Sequence, residues 1–300
     1  MGTSLKRKIL GLLSALLLLC GCTAHAPKTV LPALQEVTAV GVHTFSCTYG
    51  GAQRQFSEYA PEGAPKAILL MLHGYGSTGE DFRLLTKTDV PANACGYTVI
   101  YPTGVPTPED PTSANGWNSG IGISSVDDIG FLCALARYMQ AKYSLTRAET
   151  FAAGFSNGGF MVYRIALEGQ DTFAGVAGVA AMMPESCWNA RPDTLHISLL
   201  QINGTRDDAV PMRLNGSDRF TTAPAIEDVI AWFAAANGLD SESTEPLGMY
   251  AELTKHFGGK TQVWQVLIRE GRHSWPEEKY CGFDVNTLLL DFFDLVHAAA

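Results

Sequence analysis

Gly154-Phe155-Ser156-Asn157-Gly158 decides how this chain is read. The five residues follow a short β-type run, Thr150-Phe151-Ala152-Ala153, and precede a helical stretch from Gly159 to about Leu167. A Gly-x-Ser-x-Gly on a strand-to-helix turn is the pattern of a nucleophile elbow, in which a sharp turn holds the serine Oγ out above a sheet. Glycine is demanded at the flanks because a Cβ there would clash with the tightly turned backbone. The pattern alone recurs by chance, so the strand before it and the helix after it carry the reading. Ser156 is the candidate nucleophile. The competing reading is a glycine-rich turn that packs a helix closely on a sheet.

Outward from the elbow, the same alternation continues. Lys66 to Leu72 is a continuous apolar run, as expected of a strand buried on both faces. It ends in His73-Gly74-Tyr75-Gly76-Ser77-Thr78-Gly79, a loop able to present backbone N–H groups to an anion. In acyl transfer that anion is the tetrahedral oxyanion, and the N–H groups of Tyr75 and Asn157 are the candidate donors. A loop that uses glycine only to turn is the alternative. Nearer the N-terminus, rough alternation from His43 to Tyr59, broken at Gly50-Gly51, predicts an antiparallel hairpin at a sheet edge. Tyr97 to Tyr101 predicts a strand stopped by Pro102. The loop from Thr103 to Ser124 carries Trp117, either a wall for a ligand or an aromatic anchor for the loop itself. Ser125-x-x-Asp128 reads as a capping signature for a helix whose stripe is Ile129, Leu132, Cys133, Ala136, Met139 and Tyr143. Asp127 and Asp128 are assigned to that helix start rather than to chemistry. Phe173 to Met183 gives a further small and apolar strand with its following loop, and Leu195 to Ile202 another strand. Strands and helices therefore alternate, which predicts an α/β fold with a mostly parallel central sheet covered by helices on both faces.

A serine hydroxyl needs an imidazole to take its proton, and the imidazole needs a carboxylate to fix its tautomer. The strand ending at Ile202 runs into Asn203-Gly204-Thr205-Arg206-Asp207-Asp208, so Asp207 and Asp208 compete for the carboxylate role. An Asx turn is the bland reading of that pair. The last predicted strand, Val263 to Ile268, leads to Gly271-Arg272-His273-Ser274-Trp275-Pro276. His273 follows a strand end and a glycine. The other six histidines precede the domain, lie inside predicted elements, lack a strand-end position or belong to the glycine loop. His273 is the candidate base.

The bulk properties limit partners and compartment. A formal charge of −9, with no Lys/Arg cluster after residue 8, argues against nucleic acid and suits a neutral or weakly charged substrate. Lys6, Arg7 and Lys8 followed by the apolar Ile9 to Leu19 form a signal-type segment too short to span a bilayer as a mature helix. Leu19-Cys20-Gly21-Cys22 then resembles a bacterial lipobox, which would lipidate Cys22 and anchor the exported protein to the cell envelope; plain secretion is the alternative. The expected layout is a signal peptide over 1–21, a tether over 22–38 and one catalytic domain over 39–300. Five cysteines remain after processing: Cys47, Cys95, Cys133, Cys187 and Cys281. Export permits one or two disulfides, with Cys187 and Cys281 the first pair to consider. No Cys-x-x-Cys or His/Cys cluster points to zinc.

Taken together, Leu72-His73-Gly74-Tyr75-Gly76, Asp127-Asp128-Ile129-Gly130-Phe131, Gly154-Phe155-Ser156-Asn157-Gly158-Gly159, Gly204-Thr205-x-Asp207-x-x-Val210-Pro211 and His273-Ser274-Trp275-Pro276 resemble the family of polyhydroxybutyrate depolymerases and feruloyl or acetylxylan esterases. The matches run in order from about residue 45 to 295. The resemblance implies an α/β-hydrolase, with no metal or cofactor, cleaving esters through an acyl-enzyme. It favours Asp207 over Asp208 and gives Ser156 as nucleophile, His273 as base, and the Tyr75 and Asn157 N–H groups as oxyanion donors. Trp117 and Trp275 are the candidate substrate contacts. The chain departs from the family at Tyr75, where many depolymerases carry Cys, and at Arg272, where Gly is usual. The expected substrates are feruloyl- or acetyl-type esters of plant polysaccharide fragments. Polyhydroxyalkanoate depolymerisation and a non-catalytic glycan-binding lipoprotein are the alternatives.

Overall fold

In the computed structural model, residues 32–299 are described except for 108, 109, 111 and 214–222. The signal-type segment, Cys22 and the first part of the expected tether lie outside the described residues. Eleven strands form one sheet: β1 (Gln35–Ala39), β2 (Thr44–Tyr49), β3 (Ala52–Tyr59), β4 (Ala67–Leu72), β5 (Tyr97–Thr103), β6 (Thr150–Phe155), β7 (Gly175–Val179), β8 (Ser198–Gly204), β9 (Ser241–Leu247), β10 (Ala251–Phe257) and β11 (Val263–Ile268). Their spatial order is β1-β2-β3-β5-β4-β6-β7-β8-β11-β10-β9. The six strands from β5 to β11 in that order are parallel, and antiparallel strands flank them on both sides. The fold is α/β with a mostly parallel centre, as the alternation predicts.

Eight α-helices accompany the sheet: α1 (Gly79–Thr86), α2 (Asp89–Ala94), α3 (Asp128–Tyr143), α4 (Asn157–Glu168), α5 (Glu185–Asn189), α6 (Ile226–Ala236), α7 (Glu278–Cys281) and α8 (Val285–Ala299). All six residues of β4 are buried, which is why its sequence is apolar without alternation. Leu69 and Met71 share one core with Phe82 of α1, Ala92 of α2, and Leu289, Phe292 and Phe293 of α8. Because successive side chains point to opposite faces, Ile68 and Leu70 face the other layer, which α3, α4 and α6 cover. Within that second layer Arg54, on β3, meets Asp128 at 2.6 Å, with the guanidinium 4.0 Å over the Phe131 ring. The second Asp128 oxygen accepts the Asn118 N–H at 2.7 Å. Burial raises the Asp128 pKa, and Arg54 opposes that shift.

Several boundaries differ from the expectation. Residues 35–39 are a strand paired with β2, so the sheet claims the end of the expected tether. β5 runs through Pro102 to Thr103. It can do so because β4 pairs with it only as far as Ile100, leaving β3 as the only neighbour in the sheet at Pro102. The cap of α3 is Asp127, which accepts from the Gly130 N–H, and not Ser125. β9 and β10 were not legible at all. Leu195 to Ile197 precede β8. All five described cysteines are free thiols. The expected pair of Cys187 and Cys281 is not formed: one lies beside Arg164 and the other beside Trp275, at separate cavities. No helix among the described residues is long and apolar enough to cross a membrane.

Candidate active site

Parallel strands put their carboxyl ends on one edge of the sheet, and that edge gathers the candidate residues. β6 ends in the elbow, where Ser156 adopts φ 52° and ψ −117°, a strained left-handed conformation for a residue with a Cβ. Its N–H donates to the carbonyl of Val179 on β7 at 3.0 Å, and its carbonyl accepts the N–H of Phe160 in α4 at 2.8 Å. The glycines are needed for contact as well as for turning. A Cβ at Gly154 would lie 2.2 Å from the Gly158 oxygen, one at Gly158 would lie 2.2 Å from the Leu72 oxygen, and one at Gly159 would lie 2.5 Å from the Ala181 Cβ. The elbow is thus pressed against β4 on one side and against the segment after β7 on the other.

β8 and β11 are neighbours, and their outgoing loops are fastened backbone to backbone. Thr205 N–H donates to Ile268 (2.9 Å), and Arg206 N–H donates to Gly271 (2.8 Å). A Cβ at Gly204 would sit 2.2 Å from the Gly271 oxygen, so the two loops touch without room for a side chain. This contact brings Asp207 and His273 together. The His273 Nδ1 and the Asp207 Oδ2 are 2.8 Å apart, and the His273 Nε2 and the Ser156 Oγ are 3.0 Å apart. The other carboxylate oxygen of Asp207 accepts the N–H groups of Ala209 (3.0 Å) and Val210 (2.7 Å). Asp207 is buried, while Asp208 is exposed and makes no contact of this kind with the imidazole. The Phe155 ring lies 5.1 Å from that of His273 and packs against it.

The glycine loop after β4 closes the site from the other side. A Cβ at Gly74 would be 3.5 Å from the Ser156 Cβ, so the loop passes directly beside the elbow. Within the loop Gly76 N–H donates to Asn115 and Ser77 N–H to Gly74, while the N–H groups of Tyr75 and Asn157 have no acceptor among the described residues. His73 is fully buried, with one ring nitrogen 2.7 Å from the Gly74 oxygen and the other accepting the Gly104 N–H at 2.9 Å. That geometry fixes the proton on Nδ1, and burial lowers the pKa to about 4, so His73 is neutral and structural.

These residues line a cleft of about 550 Å³, walled by Tyr75, Ile121, Ile123, Phe160 and Val210 around Ser156 and His273. A neighbouring cavity of about 460 Å³ holds Trp275. No cluster of metal-ligating side chains occurs among the described residues.

The sequence model of the phospholipase/carboxylesterase family matches residues 55–223, more than half of the chain. The chain belongs to that family. The matched stretch contains Ser156 and Asp207, and His273 lies beyond it. Among its relatives, the protein named "Putative esterase NocK" of Nocardia uniformis subsp. tsuyamanensis is 26% identical over 260 residues, covering 75% of this chain and 72% of that protein. A bifunctional acetylxylan esterase/xylanase of Neocallimastix patriciarum is 24% identical over 162 residues, covering 53% of this chain and 22% of the larger protein. Among solved structures, an acetyl xylan esterase from Aspergillus awamori superposes with a TM-score of 0.60 at 14% identity, over 88% of this chain and all of its own. The fold is therefore that of the α/β-hydrolases.

Trp117 and Trp275 are the remaining site candidates. Trp117 is fully buried and is not a substrate contact: its indole N–H donates to the His73 carbonyl at 2.9 Å, and its backbone N–H donates to the Asn157 side-chain oxygen at 2.7 Å. Asn157 also donates to the Trp117 carbonyl (3.2 Å) and to Ser119 Oγ (2.9 Å). Trp117 is the loop's own anchor. Trp275 packs edge-on against Phe82, with ring centres 5.4 Å apart, and faces the second cavity rather than the cleft that holds Ser156. Residues missed in the sequence are Ile121, Ile123 and Phe160, whose only signal was an apolar side chain near a motif.

Proposed function

We propose that the protein is an exported, lipid-anchored serine esterase that cleaves feruloyl- or acetyl-type esters of plant polysaccharide fragments through an acyl-enzyme. One observation carries the catalytic part of this reading: a single imidazole bonded at one nitrogen to a buried carboxylate and at the other to a strained serine. His273 takes the Oγ proton at Nε2 as Ser156 attacks the ester carbonyl carbon. The carbonyl π pair moves onto oxygen, and the Tyr75 and Asn157 N–H groups stabilise the resulting oxyanion. The imidazolium, held in register by Asp207, then protonates the departing alkoxide. Water repeats the sequence on the acyl-serine and releases the acid.

The apolar walls of the cleft suit a short or aromatic acyl group, and acetylxylan esterases among the relatives and structural neighbours support the substrate class. Hydrolysis of p-nitrophenyl acetate by the wild type and by Ser156→Ala tests the mechanism. Equal slow rates for the two proteins would remove it and leave a glycan-binding lipoprotein. Methyl ferulate, acetylated xylan and a polyhydroxybutyrate film, compared side by side, separate the esterase from the depolymerase. The lipobox supports the anchor, and loss of labelled-palmitate incorporation in Cys22→Ala tests it.

A further inference from the structure

The second cavity opens at the same edge of the sheet as the cleft. Its floor is made by Val179, Ile202 and Ile268, at the ends of β7, β8 and β11, and Trp275 forms a wall. Tyr250 and Tyr280 also line it and are 45% and 68% exposed. Arg272 and Ser274 line this cavity, whereas His273 between them lines the cleft. The turn that presents the imidazole thus borders both spaces.

The charges on the two sides are opposite. Four charged residues line the second cavity: Arg269, Glu270, Arg272 and Glu277. Glu270 is paired with Arg206 at 2.8 Å, and Glu277 with Lys279 at 3.0 Å. Arg269 and Arg272 have no carboxylate partner among the described residues. The cavity is therefore bordered by two exposed arginines with no counter-charge, in a chain of net charge −9. In the cleft the charged residue is Asp208, which has no cationic partner among the described residues. A neutral acyl group fits the cleft, and an anionic group fits the cavity.

We infer that the second cavity is a carbohydrate subsite for a uronic acid, with the sugar ring against Tyr250, Trp275 and Tyr280 and its carboxylate held by Arg269 and Arg272. Aromatic rings offer flat apolar faces to the C–H face of a sugar. Guanidinium groups match a carboxylate with paired N–H donors. The identification of the occupant as part of the substrate rests on the esterase reading above, and the binding chemistry does not. On that reading the ester's alcohol side is an acidic branch of the polysaccharide.

The test measures binding without turnover. Calorimetric titration of Ser156→Ala with a glucuronic-acid-bearing xylotriose, neutral xylotetraose and inorganic phosphate compares the three ligand chemistries. The acidic oligosaccharide is expected to bind about tenfold more tightly than the neutral one at low salt. The difference should shrink with added salt. It should vanish when Arg269→Gln and Arg272→Gln are added, with the thermal midpoint retained. Equal affinity for both oligosaccharides, no binding of either, tighter binding of phosphate than of the uronic acid, or a preference that survives the double substitution would overturn the proposal. Failure of the esterase reading shows instead in the p-nitrophenyl acetate assay, whatever the calorimeter records.

Discussion

Asp207→Asn is the perturbation whose outcome the geometry fixes most tightly. The carboxylate has two jobs in opposite directions: one oxygen accepts two backbone N–H groups, from Ala209 and Val210, and the other faces the His273 Nδ1. An asparagine has a single oxygen acceptor. If that oxygen serves the two backbone donors, the amide N–H₂ faces Nδ1, which must then become the acceptor. The imidazole proton moves to Nε2, where it points at the Ser156 Oγ and blocks the uptake of the serine proton. The reverse orientation would leave the part-buried Ala209 N–H and the buried Val210 N–H facing an amide N–H₂, and an unmade buried bond costs about 1–3 kcal/mol. The wrong tautomer is therefore the stable one. In serine proteases the equivalent tautomer error lowers kcat on the order of 10⁴-fold, or about 5 kcal/mol of barrier. The assay is p-nitrophenyl acetate turnover at neutral pH, with urea unfolding to show that the variant folds. Asp208→Asn is the control and should stay within about twofold of wild type, as exposed substitutions do. An Asp207→Asn protein that keeps more than about a tenth of the wild-type kcat would refute the argument that Asp207 orients the base.

Three other outcomes follow from the structure. Gly154→Ala places a Cβ 2.2 Å from the Gly158 oxygen and should lower the unfolding free energy by about 3 kcal/mol or more. Gly238→Ala, at φ +68 in open space, should cost only about 1 kcal/mol in the same urea titration. Trp117→Phe removes the N–H that satisfies the His73 carbonyl, so stability should drop by about 1–3 kcal/mol while KM for p-nitrophenyl acetate stays unchanged. His73 has its pKa lowered by burial from 6.5 to about 4, so the unfolded chain takes up a proton that the folded one refuses. The His73 contribution is therefore full above pH 6.5 and lost as the pH falls toward 4, by roughly 3 kcal/mol. Urea midpoints across that window should fall more steeply for wild type than for His73→Gln.

What was legible in the chain was what local sterics or a long apolar run dictates. Gly154 could be read because it is required within its own turn, against the Gly158 oxygen, whereas what demands glycine at 158 and 159 is the approach of Leu72 and Ala181 from elsewhere in the chain. β4 and β11 were bounded to within a residue because both are buried strands with little alternation. Choosing between Asp207 and Asp208 needed the turn at 207–210, whose two N–H donors capture one residue and leave the next in solvent. Trp117 was ambiguous for a tertiary reason: a loop aromatic becomes an anchor only when His73 and Asn157, from distant segments, arrive to bond it. β9, Ser-Glu-Ser-Thr-Glu-Pro-Leu, shows no apolar period because Glu242 to Pro246 are exposed on both faces and Leu247, at its end, is what reaches the core. Its strand form comes from its ladder with β10, seven residue pairs long, which no local propensity announces.

Asn157 explains why the site tolerates so little looseness. Its backbone N–H is the proposed oxyanion donor, and its side chain bonds Trp117 twice and Ser119 once. Trp117 in turn bonds the carbonyl of His73, whose ring holds Gly104 at the start of the same loop. The loop that supplies the other oxyanion donor, Tyr75, leaves from that same His73. Both proposed donors are thus tied to one buried hydrogen-bonded circuit, and a shift of either by a fraction of an ångström would break a bond in it. An asparagine after the nucleophile therefore does structural work at a distance from the chemistry. Asn157→Ala should lower kcat while the Ser156–His273–Asp207 contacts persist, because it leaves the backbone donor in place but frees the loop that aims it.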